Sequence, residues 1–134
     1  MSILVLGDSI AKGLGLAMKA YTIATVGMGS CGILQHVPSQ HFPLAVISAG
    51  VNDPPGPCVD AIRNKINADH VVWIRPVPYR FGRHGLIHLN DSQAAGPTVD
   101  RVAAAHGDKV VTYVRGRDGV HPANYNAVAN SIRG

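Results

Sequence analysis

Three short segments of this 134-residue chain carry the residue types of a nucleophilic catalytic site. Gly7-Asp8-Ser9 offers a hydroxyl nucleophile, and Asp118-Gly119-Val120-His121 offers a base three residues after a carboxylate. Between them, Gly50-Val51-Asn52-Asp53 offers an uncharged amide. Each segment alone is common in proteins. The three in this order, each after an apolar run or before a helix-like stretch, indicate a serine hydrolase.

Ser9, His121 and Asp118 fit the roles of nucleophile, general base and orienting carboxylate. A serine hydroxyl is a weak nucleophile until a base removes its proton, and His121 is the predicted base. Asp118 is close enough in sequence to hold the other ring nitrogen of His121 and to stabilise the imidazolium. The predicted reaction is hydrolysis of a carboxylic ester through an acyl-enzyme, and it requires neither a cofactor nor a metal.

Attack on an ester also creates an oxyanion, which needs hydrogen-bond donors held in place. The predicted donors are the backbone N–H of Ser9, a backbone N–H at Gly29 and the side-chain amide of Asn52. Gly27 is the open alternative to Gly29, and we choose Gly29 because Ser30 has the character of a helix cap.

Further residues are expected to support or line this site. Asp8 is predicted to brace the nucleophile turn by hydrogen bonding, and Asp53 to pin the Asn52 loop. The predicted substrate contacts, which all follow strand ends, are Arg75, Tyr79 and Arg115. The stretch 75–90 has no periodicity and is interpreted either as a substrate-contact loop or as a plain connector.

The elements that must position these residues form an alternating pattern of strands and helices. Short apolar runs, rich in Val and Ile, predict strands at Ile3–Leu6, Tyr21–Val26, Leu44–Ala49, Val71–Ile74 and Val110–Val114. Helices are predicted at Ala11–Ala20, Ser30–Val37, Cys58–Asn67, Asp91–His106 and Ala123–Ile132, with Asp91-Ser92 and Pro122 as starts. Alternation of this kind predicts a parallel sheet with helices on both faces. Functional groups gather beyond the carboxyl ends of such strands, so the motifs should meet at one rim.

On these motifs the chain resembles the SGNH hydrolase superfamily, the GDSL esterases and lipases. The four letters of the name SGNH fall on Ser9, Gly29, Asn52 and His121, with Asp118 as the third triad member. The resemblance spans nearly the whole chain. It implies a three-layer α/β/α flavodoxin-like sandwich with a central parallel five-stranded sheet. It also implies hydrolysis of short acyl esters or O-acetyl groups, including those on carbohydrates and cell-wall polymers.

Composition predicts a single globular domain over residues 1–134, with 46% hydrophobic and 15% charged residues. The net charge of +4 comes from scattered basic residues, which do not form a nucleic-acid-binding face. Nucleic acid is therefore not an expected partner. The hydrolase chemistry and the resemblance imply a small-molecule or carbohydrate ester as the partner, and a monomer is assumed. No apolar stretch approaches the roughly 20 residues that span a bilayer, so no membrane partner is expected.

The sequence also carries expectations about the cellular setting. No basic segment precedes the first apolar run, so no signal peptide is expected. The protein is then either cytoplasmic or part of a particle such as a phage virion. Cys31 and Cys58 are the two cysteines, and we expect free thiols in a reducing compartment, with one bridge as the alternative.

Other classes of function compete with the hydrolase. Gly27, Gly29 and Gly32 formally match a dinucleotide-binding loop, with Asp53 roughly 20 residues later, although the loop follows the second predicted strand. A catalytically silent carbohydrate-binding or structural module of the same fold is another alternative, but every catalytic residue type is present. A metal site is not predicted, because Gly82 and Gly85 argue against a helix that would bring His84 and His88 together, and the chain contains no glutamate for an HExxH motif.

Overall fold

A computed structural model describes residues 2–79 and 92–134, and the backbone of residues 81–82 and 85–86. The strands of its central sheet are β1 Ile3–Gly7, β2 Tyr21–Ala24, β3 Phe42–Ser48, β4 Ala68–Ile74 and β7 Lys109–Val111. They are all parallel and lie in the order β2-β1-β3-β4-β7. Two short strands, β5 Phe81–Gly82 and β6 Gly85–Leu86, pair antiparallel outside this sheet. Each of the five predicted runs is therefore a strand of one parallel sheet.

The helices are α1 Ser9–Met18, α2 Ser30–Leu34, α3 Val59–Lys65, α4 Ala95–His106 and α5 Tyr125–Arg133. Side chains that alternate along the strands pack against opposite layers of helices. Val5, Val46 and Val72 join the core formed with α1 and α5, whereas Leu6, Ile47 and Trp73 join the core formed with α2, α3 and α4. The predicted three-layer α/β/α sandwich is confirmed, and counting only the strands of the central sheet its order is the flavodoxin-like 2-1-3-4-5.

The described part of the chain contains no helix with the length and apolar character needed to cross a membrane.

Helix boundaries differ from the predicted ones at several points. Pro122 does not start the last helix: α5 begins at Tyr125, after Asn124, whose side-chain oxygen accepts a hydrogen bond from Ala127 N at 3.2 Å. An asparagine satisfies a free N–H of the first turn, which a proline ring does not. The predicted start at Asp91 lies outside the described residues, and the helix is described from Ala95 onward.

The expectation that the two cysteines are free thiols is wrong. Cys31 in α2 and Cys58 immediately before α3 form a disulfide, with their Cα atoms 4.9 Å apart. The two residues are 27 positions apart in sequence, and it is the packing of α2 against α3 that brings them together. The open alternative of a single bridge is therefore the correct one.

Candidate active site

The nucleophile turn lies at the carboxyl end of β1. Ser9 is the first residue of α1, and Asp8 caps this helix by accepting a hydrogen bond from Ile10 N at 3.1 Å through Oδ1. The preceding Gly7 has a φ of +147°, and a Cβ atom there would lie 1.9 Å from the carbonyl oxygen of Ser48. Only glycine allows the backbone to pass β3 this closely, so the turn that presents Ser9 depends on Gly7.

Asp8 is fully buried beneath this turn, with 0% of its surface exposed. Its Oδ1 also accepts a hydrogen bond from Ser48 Oγ at 2.8 Å, while Oδ2 has no hydrogen-bond partner within the described part of the chain. Burial raises the pKa of Asp8 to about 6, although the bonds from Ser48 and Ile10 act in the opposite direction. These contacts connect Asp8 to the turn and to the end of β3.

A hydrogen-bonded chain joins Ser9, His121 and Asp118. Ser9 Oγ lies 2.7 Å from His121 Nε2, and His121 Nδ1 lies 2.5 Å from Asp118 Oδ2. The other oxygen, Asp118 Oδ1, accepts hydrogen bonds from the backbone N–H groups of Val120 and His121, each at 2.9 Å. Partial burial alone would raise the pKa of Asp118, but these backbone bonds and the imidazole together hold it below its usual value. Asp118 is therefore ionised at neutral pH.

The loop that carries His121, the predicted base, is held by its own backbone, between β7 and α5. Gly116 N donates to His121 O and Ala123 N donates to Val114 O, both at 2.8 Å. The hydroxyl of Tyr113 donates to Val120 O at 2.7 Å. The position of the imidazole is thus set on both sides of His121.

Gly29 and Asn52, two of the three residues proposed as oxyanion donors, follow β2 and β3, the strands that flank β1. Asn52 Nδ2 donates to Met28 O at 3.1 Å, which joins the loop after β3 to the loop after β2. A Cβ atom on Gly29 would lie 2.9 Å from the carboxyl carbon of Asp53, so this position requires glycine for space. Gly27 has a φ of +77° and requires glycine for its turn. Gly29, not Ser30 as expected, is the cap of α2.

Asp53 links these two loops through Ser30. Its Oδ2 accepts hydrogen bonds from both Ser30 N and Ser30 Oγ, each at 2.7 Å. A carboxylate therefore already occupies the N-terminus of α2, where the phosphate of a dinucleotide would have to bind. This contact counts against the nucleotide-binding interpretation of Gly27, Gly29 and Gly32.

The predicted substrate contacts have different surroundings. Tyr79 is only 4% exposed and its hydroxyl donates to Val51 O, so in this structure it supports the Asn52 loop from inside. Arg75 forms an ion pair with Asp100, with 3.0 Å between Nη2 and Oδ2. Arg115 is exposed, and its Nη1 donates to Pro78 O at 2.9 Å.

Of the stretch 75–90, interpreted as a substrate-contact loop or a plain connector, the part from residue 80 onward, with His84 and His88, lies mostly outside the described residues. In the described remainder of the chain, no three metal-ligating side chains come together.

Sequence reasoning missed three polar residues that hold the site together: Ser30, Ser48 and Tyr113. Ser48 and Tyr113 each lie at the end of an apolar run, Ser48 in β3 and Tyr113 just after β7. A polar group in such a run needs a hydrogen-bond partner once it is buried. A polar residue at the end of an apolar run is therefore the sequence signal that could have identified Ser48 and Tyr113. No such signal exists for Ser30, because its role depends on Asp53 in a loop distant in sequence.

Comparison with known proteins gives matches among solved structures only; no family model and no curated protein matches the chain. A GDSL-like lipase from Bacteroides thetaiotaomicron is 18% identical, over 98% of this chain and 87% of that one, with a TM-score of 0.66. A member of the lipolytic G-D-S-L family from Veillonella parvula is 15% identical, over 96% and 92%, with a TM-score of 0.60. The aryl esterase of M. smegmatis is 12% identical, over 98% of each chain, with a TM-score of 0.63. The fold is that of the GDSL lipases and esterases.

The resemblance drawn from the three motifs is thereby confirmed at the level of the fold. These neighbours are lipolytic enzymes and esterases, and the chain spans most of the length of each one. At identities of 12–18% the likeness concerns the fold, and the chemistry has to be argued from the site.

Proposed function

We propose that the protein is a serine esterase whose catalytic triad is Ser9, His121 and Asp118. The observation that carries this proposal is the hydrogen-bonded chain from Asp118 through His121 to Ser9, with links of 2.5 and 2.7 Å. An imidazole held by a carboxylate on one nitrogen and bonded to a serine hydroxyl on the other is the arrangement that activates serine. It lies on a fold shared with GDSL esterases.

In the proposed mechanism, His121 Nε2 takes the proton from Ser9 Oγ as the oxygen attacks the ester carbonyl. Asp118 orients the ring and stabilises the imidazolium that forms. The oxyanion accepts hydrogen bonds from Ser9 N–H, Gly29 N–H and the Asn52 amide. The proton on His121 then passes to the leaving alcohol, and the acyl group remains on Ser9. Water repeats the sequence, which releases the acid and restores the serine.

The proposed substrates carry a small acyl group on a large alcohol, such as O-acetyl groups on a carbohydrate or cell-wall polymer. The openness of the site supports this class, because the side chains of His121 and Asp118 are 39% and 53% exposed. The disulfide supports a working environment outside a reducing compartment, such as an extracellular virion. Binding of a carbohydrate without catalysis remains the alternative that the experiment below decides.

The first experiment measures hydrolysis of p-nitrophenyl acetate and butyrate by the wild type, Ser9→Ala and Ser39→Ala. Ser39 is an exposed serine far from the triad in sequence and serves as the matched control. We expect Ser9→Ala to lose at least about 10³-fold in kcat, because the nucleophile is gone, and Ser39→Ala to match the wild type. Full turnover by folded Ser9→Ala would refute the triad. A wild type inactive on both esters and on acetylated xylan, yet binding xylan, would establish the silent module instead.

A further inference from the structure

Ser30, in the first turn of α2, joins three separate segments behind the proposed oxyanion donors. It is fully buried, and both its N–H and its hydroxyl donate to Asp53 Oδ2 at 2.7 Å. The same hydroxyl oxygen accepts a hydrogen bond from Cys58 N at 3.1 Å. One side chain thus connects α2, the loop after β3 and the residue that precedes α3.

A disulfide bond joins two of the same segments, α2 and the residue that precedes α3. Cys31 follows Ser30 directly, and its disulfide partner Cys58 is the residue whose N–H bonds to Ser30. Cys31 is exposed and Cys58 is partly buried, so a small thiol in solution has access to the bond. We call Ser30, Asp53 and the Cys31–Cys58 disulfide the oxyanion clamp.

Two of the three proposed donors, Gly29 and Asn52, are direct neighbours of the oxyanion clamp. Gly29 precedes Ser30, and Asn52 precedes Asp53. The Cα of Gly29 packs so closely on Asp53 that a Cβ there would lie 2.9 Å from the carboxyl carbon. The amide of Asn52 is in turn bonded to Met28 O at 3.1 Å. The separation of the two donors is therefore fixed by the contacts of the clamp.

We propose that Ser30 and the Cys31–Cys58 disulfide are positioning residues of the oxyanion hole, and that reduction of the disulfide lowers turnover. The inference rests on the esterase function proposed above. Reduction by a dithiol proceeds as one of its thiolates attacks a sulfur of the bridge to form a mixed disulfide. The second thiolate then displaces the protein sulfur. The two cysteines gain two electrons and two protons, and the dithiol becomes its own disulfide.

The expected effect falls on kcat rather than on KM. Oxyanion donors act mainly in the transition state, so a shift in their spacing weakens transition-state binding more than substrate binding. A misplacement of about 1 Å in an active site can cost about 100-fold in rate. Because the hydrogen bonds of Ser30 survive reduction, we expect a partial loss of about tenfold in kcat with KM changed less than about twofold.

The first test compares kcat and KM for p-nitrophenyl acetate before and after treatment with dithiothreitol. The proteins are the wild type and Cys31→Ser/Cys58→Ser, with Asp60→Ala as the control, since Asp60 is an exposed residue of α3. The kcat of the reduced wild type and that of the double variant should be lower than the kcat of the untreated wild type by the same factor. Reoxidation should restore the kcat of the wild type, and dithiothreitol should leave the kcat of the double variant unchanged. The control should respond as the wild type does. An unchanged kcat on reduction would overturn the role of the disulfide.

A double-mutant cycle separates positioning from general stability. If Ser30 acts through the oxyanion donors, Ser30→Ala should cost much less kcat in an Asn52→Ala background than in the wild type. Asn52→Ala itself should cost about 10²- to 10³-fold. Equal costs of Ser30→Ala in both backgrounds would overturn the role of Ser30.

A measurement independent of activity separates this inference from the proposed function. In ¹⁵N-labelled protein, reduction should shift the NMR signals of the Gly29 backbone N–H and of the Asn52 side-chain amide. The signal of Lys109, at the far edge of the sheet, should stay in place. Signals that move in a protein without esterase activity would refute the esterase and support the clamp. If the protein has esterase activity but the Gly29 and Asn52 signals do not shift on reduction, the positioning role of the disulfide is refuted and the esterase function stands.

Discussion

Asp8, buried directly before the proposed nucleophile, makes the stability of the folded protein depend on pH. Its pKa is about 6 in the fold against 3.8 for the ordinary carboxyl group. Between these values the folded state holds a proton that the unfolded state has released, so the free energy of unfolding falls as pH rises. The free energy of unfolding stops falling once the pH is well above 6, where Asp8 is ionised in both states. A shift of about two pKa units corresponds to a total fall of about 3 kcal/mol.

Replacing Asp8 by Asn should remove this dependence, because the amide does not titrate but keeps an acceptor for Ile10 N and Ser48 Oγ. Urea unfolding of the wild type and Asp8→Asn at several pH values from 4 to 8 measures the effect. The free energy of unfolding of the wild type should drop by about 3 kcal/mol relative to the variant over this range. Asp60→Asn, at an exposed carboxylate, is measured in parallel as the control for loss of a charge elsewhere. A constant difference between wild type and Asp8→Asn would contradict a buried charge at neutral pH.

At the scale of elements, the loop from β7 to α5 depends on Tyr113. Burial raises the pKa of Tyr113 far above its usual value, so its hydroxyl stays protonated and donates to Val120 O. Val120 is the neighbour of His121, and the bond restrains the backbone that carries the base. Tyr113 bonds to neither Ser9 nor Asp118, and under the proposed mechanism its role is to position the imidazole of His121.

Tyr113→Phe should therefore lower kcat for p-nitrophenyl acetate by about 3- to 10-fold with little change in KM, since the loop gains freedom. The stability cost should be about 1 kcal/mol, the net value of one hydrogen bond. Tyr21→Phe, at a half-exposed tyrosine of the edge strand β2, is the matched control and should leave kcat unchanged. Equal kcat in Tyr113→Phe and the wild type would show that the loop holds His121 without this bond.

Elements were predictable from sequence where local pattern decides them, and less so where distant contacts do. The five apolar runs predicted the five strands of the central sheet correctly, because strands that are buried on both faces have continuous Val- and Ile-rich sequences. Ser30 resembled a helix cap, yet its N–H is bonded by Asp53 from another loop. The strand-end rule placed Tyr79 at the rim, but it could not give the direction of the side chain, which turns inward to Val51 O.

The candidate site was predictable at the scale of motifs, because residues that follow neighbouring parallel strands share one edge of the sheet. Ser9, Asp118 and His121 were named from residue type and order alone, and the fold places them within hydrogen-bonding distance. The disulfide between Cys31 and Cys58 could not be derived in this way. It depends on which helices pack side by side, and cysteine spacing does not encode that.

For the whole molecule, Asp108 joins helix and sheet at the amino end of β7, the strand whose carboxyl end leads to the His121 loop. Its Oδ2 accepts hydrogen bonds from Trp73 Nε1 at 3.0 Å and from Arg63 Nε at 2.7 Å, and its side chain is 4% exposed. Trp73 lies in β4, Arg63 in α3, and Asp108 directly before β7. The carboxylate therefore satisfies two donors that would be costly to leave unpaired.

Asp108→Ala should lower the free energy of unfolding by about 3 kcal/mol, because it leaves the partly buried guanidinium of Arg63 and an indole N–H without their acceptor. Asp100→Ala removes the partner of Arg75 from an exposed pair and should cost about 1 kcal/mol or less. Urea unfolding of both variants gives the comparison, and kcat of Asp108→Ala below its unfolding midpoint should equal that of the wild type. A loss as small as that of Asp100→Ala would show that the network is not a stabilising one.

Ser9 and His121 are 112 residues apart in sequence, and β1 lies inside the sheet while β7 forms one edge. On the ribosome the proposed nucleophile is made early, and its base is made only after all five strands of the central sheet have been synthesised. A polypeptide whose translation stops before Asp118 carries a serine with no base to activate it. Under the proposed mechanism, incomplete translation products are inert toward esters, and activity begins only once synthesis has passed His121.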